Sequence, residues 1–517
     1  MKRTLKYISL VLLVSLSSCT DWLDLRPESE VVLEDFWQTE SQATAVLSSC
    51  YRGLQSDACV ERMLIWGELR SDNLVAGNSI NTDLLKIINV NITSTNYYTN
   101  WAPFYSVINY CNTFLYFAPQ VVERDQNFTV SKLHNYESEV LTIRAMCYFY
   151  LVRAFKEVPL VLTPSISDTT NYNRSKSSER VVLDQIISDL KTAEQYARLS
   201  YGKGAYNKGR ITLNAIYALL ADVYLWDKQY DNCIEMCNNI INDKTYVLVD
   251  GEKLLNEVFY KGNSTESIFE LQYNKDIQYN NTVNYFFGYE GNKFGVLSFP
   301  AYLTRTGNFK LFNYSEVAVK ESTDDIREKN FFGSTDYGTG YPIYKYALNQ
   351  CIKNADETVT PVYRSSATTV NWVIYRLADI VLMKSEALVS KQNATETDFQ
   401  EALRMVNKTY LRSNPTADSL LINNYSSQSA MESLVLRERQ RELMFEGKRW
   451  FDLVRLARRR NDATAILAYI SPKLAGDNMQ MNKLSVMDGL YMPVIQSEIE
   501  INPNIKQNPF YEEETAQ

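Results

Sequence analysis

The sequence predicts a mainly α fold, in which tetratricopeptide-like helix pairs form a scaffold and a loop-rich region containing short strands is inserted into it. Three observations carry this prediction. Residues 211–241 read ITLNAIYALLADVYLWDKQYDNCIEMCNNII, two helical stretches split by a short turn, with Ala218 and Ala221 among large apolar residues. Small residues at such positions let paired helices approach closely. Residues 376–412 repeat the pattern more loosely, with ADIVLMKSEALVSK and then FQEALRMVNKTYLR. Between the two blocks, residues 245–370 lose the helical period and are rich in Asn, Gly and aromatic residues, with strand-like alternation at 267–273. One helix pair cannot bury its own apolar face, so several pairs are expected to stack.

The elements follow in chain order. Residues 41–54 and 101–117 predict the first helices. Residues 137–155 (ESEVLTIRAMCYFYLVRAF) are apolar on most faces and predict a deeply buried helix, stopped by Pro159 and Pro164. Residues 181–198 predict another helix after a polar loop. Residues 437–455 carry Arg and Glu on one side and Leu443, Phe445, Trp450, Phe451 and Val454 on the other, which predicts one amphipathic core helix with ion pairs at helical spacing. A polar loop at 414–429 separates the last helices. From Gly489 the chain is expected to be extended, because Pro493, Pro503 and Pro509 forbid a long helix. The resulting division has scaffold at about 37–244 and 371–460, the loop-rich ligand or partner region at about 245–370, and the extended C-terminal segment at about 489–517.

The first 18 residues are set apart as an export signal. Lys2, Arg3 and Lys6 precede an apolar run at 7–16, too short for the roughly 20 residues that span a bilayer. The sequence Leu16-Ser17-Ser18-Cys19 looks like a bacterial lipobox. Its cysteine would be acylated and become the first residue of the mature unit, 19–517. Two or more acyl chains make such anchoring stable.

Composition narrows the chemistry. The full chain carries a net charge of −8, and its leader contributes only positive charge, so the remainder is more acidic still. An acidic surface with no basic block argues against nucleic acid. The only histidine is His134, which removes most zinc sites and histidine-based triads; no cofactor or metal is expected. Seven cysteines follow Cys19 without a disulfide framework, and Cys233 and Cys237 are spaced to share a buried helix face. Tyrosine is abundant, with 36 residues beside 21 Phe and 7 Trp. Its excess suits a surface that stacks rings on a ligand while keeping a polar tip in water.

Five segments resemble the SusD/RagB family of outer-membrane nutrient-binding lipoproteins of Bacteroidetes. They are CTDWLDLRP at 19–27, RAMCYFYLVRAFKEVPLV at 144–161, RLADIVLMKSEA at 376–387, RERQRELMFEGKRWFDLVR at 437–455 and YMPVIQSEIEINPNIKQNPFY at 491–511. They occur in family order and span nearly the whole chain. The resemblance implies a non-enzymatic lipoprotein, tethered by Cys19 to the outer membrane and facing the cell exterior. It would act as the lid of a SusC-like TonB-dependent β-barrel transporter, capturing an oligosaccharide or polysaccharide and delivering it to the barrel. The alternatives are a peptide-binding member of the family, a periplasmic helical-repeat scaffold, or a glycoside hydrolase, which would need paired carboxylates.

A glycan offers a face of C–H groups and an edge of hydroxyls, so its site needs flat rings and amide or carboxylate side chains. Two regions fit. The loop after Gly67-Glu68-Leu69-Arg70-Ser71-Asp72 supplies Asn73, Asn78, Asn81 and, at its close, Tyr97 and Tyr98. In related proteins the loop at this position contributes to the binding face; here it lacks tryptophan, unlike starch-binding members. The second region is the YFFGY cluster with Tyr285, Phe287 and Tyr289. Those rings suit packing beneath their own loop as well as ligand stacking. Trp66 and Trp101 sit in helical patterns and are expected in the core.

Overall fold

The computed structural model describes residues 36–512, apart from 78, 167–172, 203, 277, 291–292, 305–306, 308, 313, 316–320, 323, 334–339, 356–358 and 365–368. Helices dominate it. The N-terminal group is α1 (Glu40–Leu54), α2 (Asp57–Leu64), α3 (Thr82–Ile88), α4 (Ala102–Arg124), α5 (Val130–Phe155) and α6 (Glu179–Glu194). Then come α7 (Leu213–Trp226) and α8 (Tyr230–Asn242), the short α9 (Asn281–Phe287), α10 (Leu377–Ser390), α11 (Glu396–Ser413), α12 (Gln428–Leu443), α13 (Arg449–Arg460) and α14 (Gln496–Ile501). The helices stack as a continuous layer: α1 on α4, α4 on α5, α5 on α6, α6 on α7, α7 on α8, α8 on α10, and α10 on both α11 and α12. Ala218 and Ala221 are fully buried in α7, where their size permits the close α7–α8 pairing. Cys233 and Cys237 share the buried face of α8, and Trp66 and Trp101 lie in the core.

The insertion is closed at its base by β2 (Ser267–Leu271) pairing antiparallel with β9 (Trp372–Arg376). All residues of both strands are buried. The alternation at 267–273 therefore does not mark a solvent face: its polar members, such as Glu270, are covered too. Smaller pairings fill the insertion. They are β1 (Val75–Ala76) with β5 (Leu297–Phe299) and β6 (Tyr341–Pro342), β3 (Tyr289–Glu290) with β4 (Lys293–Phe294), and β7 (Leu348–Lys353) with β8 (Val359–Tyr363).

Two expectations are corrected. Residues 437–455 are not one helix: α12 ends at Leu443 and α13 starts at Arg449. Phe445 and Gly447 between them have φ of 69° and 73°. The break is clamped by charge from both sides. Glu68 accepts the backbone N–H groups of Phe445, Lys448 and Arg449 at 3.0, 2.9 and 3.2 Å. Lys345 donates to the carbonyls of Glu442 and Met444 at 3.0 and 2.9 Å. The polar side of these helices is also not a surface. Arg376 binds Glu266, Glu442 and Glu446, Arg439 binds Asp379 and Asp452, and all seven side chains are buried. The second correction concerns the C-terminal segment. It holds α14 and a short turn of helix at Pro509–Glu512, each too short to conflict with the prolines.

Candidate functional site

The site grows from the turn between α1 and α2. Ser56 caps α2 through the Cys59 N–H, and the helix carries Asp57 and Glu61 one turn apart. The Asp57 carboxylate accepts from Asn281 N at 3.1 Å, Asn281 Nδ2 at 2.8 Å and Thr282 N at 3.4 Å. It thereby binds the first turn of α9 to the first turn of α2. Gln55 reinforces the join: its carbonyl accepts from the Tyr273 hydroxyl at 2.7 Å and from Gln278 Nε2 at 2.8 Å. Asn280 caps α9 through Val283 N and donates to the Val370 carbonyl. These bonds fix α9 so that Tyr285 stands exposed while Phe286 and Phe287 point into the core.

The other flank comes from the turn at 97–99. Asn81 caps α3 through Leu84 N at 2.9 Å and donates from Nδ2 to the Tyr98 hydroxyl at 3.1 Å. The buried Arg62 donates to the carbonyls of Ala58, Tyr97 and Asn100, and its guanidinium lies 5.0 Å from the Tyr97 ring centre. Tyr97 and Tyr98 meet edge to face at 5.2 Å. Tyr97 is 52 % exposed and Tyr98 only 6 %.

Electrostatics ties the flanks together. Burial pushes the Tyr98 phenol up to about 12; Glu61, Tyr285 and Tyr97 push the same way and the Asn81 bond opposes them. Tyr285, almost 190 residues from the 97–98 turn in sequence, and Glu61 thus both lie near enough to act on the Tyr98 phenol. Partial burial also raises the Glu61 carboxyl, with Arg62 lowering it and Asp57 raising it. Among the described residues no side chain or N–H donates to the Glu61 carboxylate. The arrangement offers exposed rings at Tyr97 and Tyr285, an amide at Asn81 and a half-buried carboxylate at Glu61.

The predicted residues divide accordingly. Asn81, Tyr98 and Tyr285 come together. Asn73 does not join them: it is fully buried, donates to Glu68 at 2.7 Å and accepts from Gln440 at 2.8 Å, so it supports the helix break instead. Phe287 is 1 % exposed and stacks on Tyr346, with its ring also against Phe445; it is a core residue and has no face for a ligand. Tyr289 is half-buried and stacks on Tyr363 at 3.9 Å, which occupies one face of its ring. Tyr98 contributes its hydroxyl edge, since its ring is covered. Asn78 and Cys19 lie outside the described residues. Tyr97 closes the predicted loop beside Tyr98, whereas Asp57, Glu61 and Arg62 were not anticipated. The signal was the i, i+4 pair of carboxylates on α2, which reads equally as a solvated helix face.

The fold defines a class, a mainly α helical-repeat protein with inserted loops, and this face is its candidate binding surface. The comparisons give it a family. Residues 192–511 match the SusD family, and residues 21–225 match a SusD-like family described as "Starch-binding associating with outer membrane". The chain belongs to the SusD family, whose members are binding proteins. It is similar to SusD-like protein P38 of Formosa agariphila, 26 % identical over 87 % of this chain and 91 % of that one. SusD-like protein P2 of the same organism is 23 % identical over 87 % and 90 %. A SusD superfamily protein from Bacteroides vulgatus shares the fold with a TM-score of 0.71 at 19 % identity, covering 92 % of this chain and 100 % of that one. One from Bacteroides thetaiotaomicron does so with a TM-score of 0.69 at 22 % identity, covering 92 % and 99 %.

Proposed function

We propose that this protein is a lipoprotein of the outer cell surface, acylated at Cys19, that captures an oligosaccharide or polysaccharide segment and passes it as a lid to a SusC-like TonB-dependent transporter. The observation that supports the reading is that α2 holds α9 through Asp57 and the 97–100 turn through Arg62, with exposed rings at Tyr97 and Tyr285 and a Glu61 carboxylate that accepts no hydrogen bond among the described residues. Rings stack on the C–H face of a pyranose, and Asn81 and Glu61 read its hydroxyls. The name of the 21–225 family supports the ligand class and the outer-membrane address. Among the described residues no helix is long and apolar enough to cross a membrane, consistent with attachment through a lipid.

Calorimetry of the purified protein against a panel of polysaccharides and peptides tests the proposal. A stacked ring contributes about 0.5–1.5 kcal/mol beyond its buried area. Tyr97→Ala and Tyr285→Ala should therefore each weaken glycan binding about tenfold with an unchanged melting temperature. Phe287→Ala should instead lower the melting temperature. Unchanged affinity in both tyrosine variants would reject the site, and release of new reducing ends from the glycan would reject a binding-only role.

A further inference from the structure

A cleft of about 500 Å³ opens between the first half of α4, the chain at 159–165 and α14 with the residues after it. Its lining shares no residue with the tyrosine face. One wall is apolar, with Tyr105, Ile108, Pro159 and Ile505. The cleft is preformed, because side chains tie its walls together. Asn112 Nδ2 donates to the carbonyls of Val161 and Thr163 at 3.0 and 3.3 Å, and its Oδ1 accepts from Arg144 at 2.9 Å. The Tyr105 hydroxyl donates to the Pro159 carbonyl at 2.6 Å. Asn502 Nδ2 donates to the Arg174 carbonyl at 2.8 Å, and among the described residues the Arg174 guanidinium donates only to Thr163 Oγ1, at 3.3 Å.

Two opposite charges line this cleft without ion-pair partners among the described residues. Arg174 makes no ion pair among the described residues, although most buried or half-buried arginines of the molecule do. Glu498, on α14, makes none either. Its charge acts on the Tyr105 phenol, which burial and then Tyr148 already hold well above its usual range. Asn109 accepts the Ser165 N–H at 2.8 Å through Oδ1, and its Nδ2 has no acceptor among the described residues. The donor set of Arg174 and Asn109 suits a carboxylate, and Glu498 suits an ammonium group. A neutral sugar would leave both charges unanswered and meet a mostly apolar wall. A simple anion would satisfy Arg174 but be repelled by Glu498.

We propose that this cleft is a second ligand site, specific for a small zwitterion with an apolar body, namely an apolar α-amino acid or short peptide with free termini. Its carboxylate is held by Arg174 and Asn109, its ammonium by Glu498, and its apolar side chain lies on Tyr105, Pro159 and Ile505.

The test uses the full lipoprotein in detergent, titrated calorimetrically with leucyl-leucine, N-acetyl-leucyl-leucine, leucyl-leucine amide and glucuronic acid. Leucyl-leucine should bind with one-to-one stoichiometry, and blocking either terminus should weaken it tenfold or more. Arg174→Met should abolish the penalty for amidation, and Glu498→Gln the penalty for acetylation. Both side chains are partly exposed and lack ion pairs, so melting temperatures should hold. Tyr285→Ala should leave dipeptide binding intact, which separates this site from the tyrosine face. Absence of saturable binding, equal binding of the blocked forms, tighter binding of glucuronic acid, or loss of binding in Tyr285→Ala would each overturn the proposal.

Discussion

Lys473 shows how one residue can carry a pH response. It is half-buried and donates to the carbonyls of Leu69 and Ser71 at 2.8 and 2.7 Å. Burial pulls its pKa down to about 7; Asp72 and Glu68 oppose that and Arg70 adds to it. The unfolded chain keeps this proton to about pH 10.4. Between those values the unfolded state binds more protons, so the Lys473 contribution to stability rises with pH above about 7 and is flat below it, with a slope of at most about 1.4 kcal/mol per pH unit. Urea denaturation of the natural protein and of Lys473→Met should show a stability difference that shifts in favour of the natural protein from pH 7 to 9. A difference independent of pH would refute the assignment. Sequence could not single out this lysine, because its only peculiarity is what covers it. The same reason explains Asn73 and Phe287. Composition marked their neighbourhoods as polar and aromatic, but burial is set by contacts with Gln440 and Tyr346, hundreds and tens of residues away. Tyr285, just before two buried phenylalanines, differs from them in exposure through its place on α9.

At the level of elements, the helix pairs were legible because each carries its own periodicity. Residues 211–241 and 376–412 needed no distant information to be read as paired helices. The break between α12 and α13 was not legible, since residues 444–448 continue the apolar spacing and the reason for the break lies elsewhere. Glu68 and Lys345 satisfy the backbone groups that the break exposes, and Gly67 lets the two segments touch. A Cβ at Gly67 would sit 1.8 Å from the Gly447 carbonyl oxygen, a backbone atom that cannot step aside. Gly67→Ala should therefore cost at least about 3 kcal/mol, in the range of severe core overpacking, or prevent folding. Gly476 also has a positive φ, of 78°, but open space around it, so Gly476→Ala should cost only about 1 kcal/mol of backbone strain. Thermal melts of the two variants compare steric clash with strain alone. Equal effects would mean that the α12–α13 break tolerates rearrangement.

On the scale of the whole molecule, the scaffold surrounds a charged interior that joins the insertion to the helices. Arg376 at the end of β9 meets Glu266 from the insertion and Glu442 and Glu446 from α12 and the break, with contacts of 2.6 to 2.7 Å. Burial alone would raise the Glu442 carboxyl; Arg412, Arg376 and Arg327 outweigh it and hold it well below its usual range. In Glu386 and Glu321 the same contest, with burial opposed by arginines, ends at about 2. Depressed carboxyls of this kind add stability that is complete above about pH 4.5 and is lost as the pH falls toward their folded values. The natural protein should therefore unfold cooperatively in acid. Arg376→Met reverses the sign. It removes one cation from three buried carboxylates, leaving Arg412 on Glu266, Arg412 and Arg327 on Glu442 and Lys345 on Glu446, which should cost about 3 kcal/mol at pH 7. With one cation fewer, protonating one of the carboxylates relieves repulsion, so that cost should shrink as the pH drops to about 4.5. Denaturant titrations of both proteins at pH 7 and 4.5 measure the gap. A gap that widened in acid would show that Arg376 acts through packing, and that the charge network is not what binds the insertion to its scaffold.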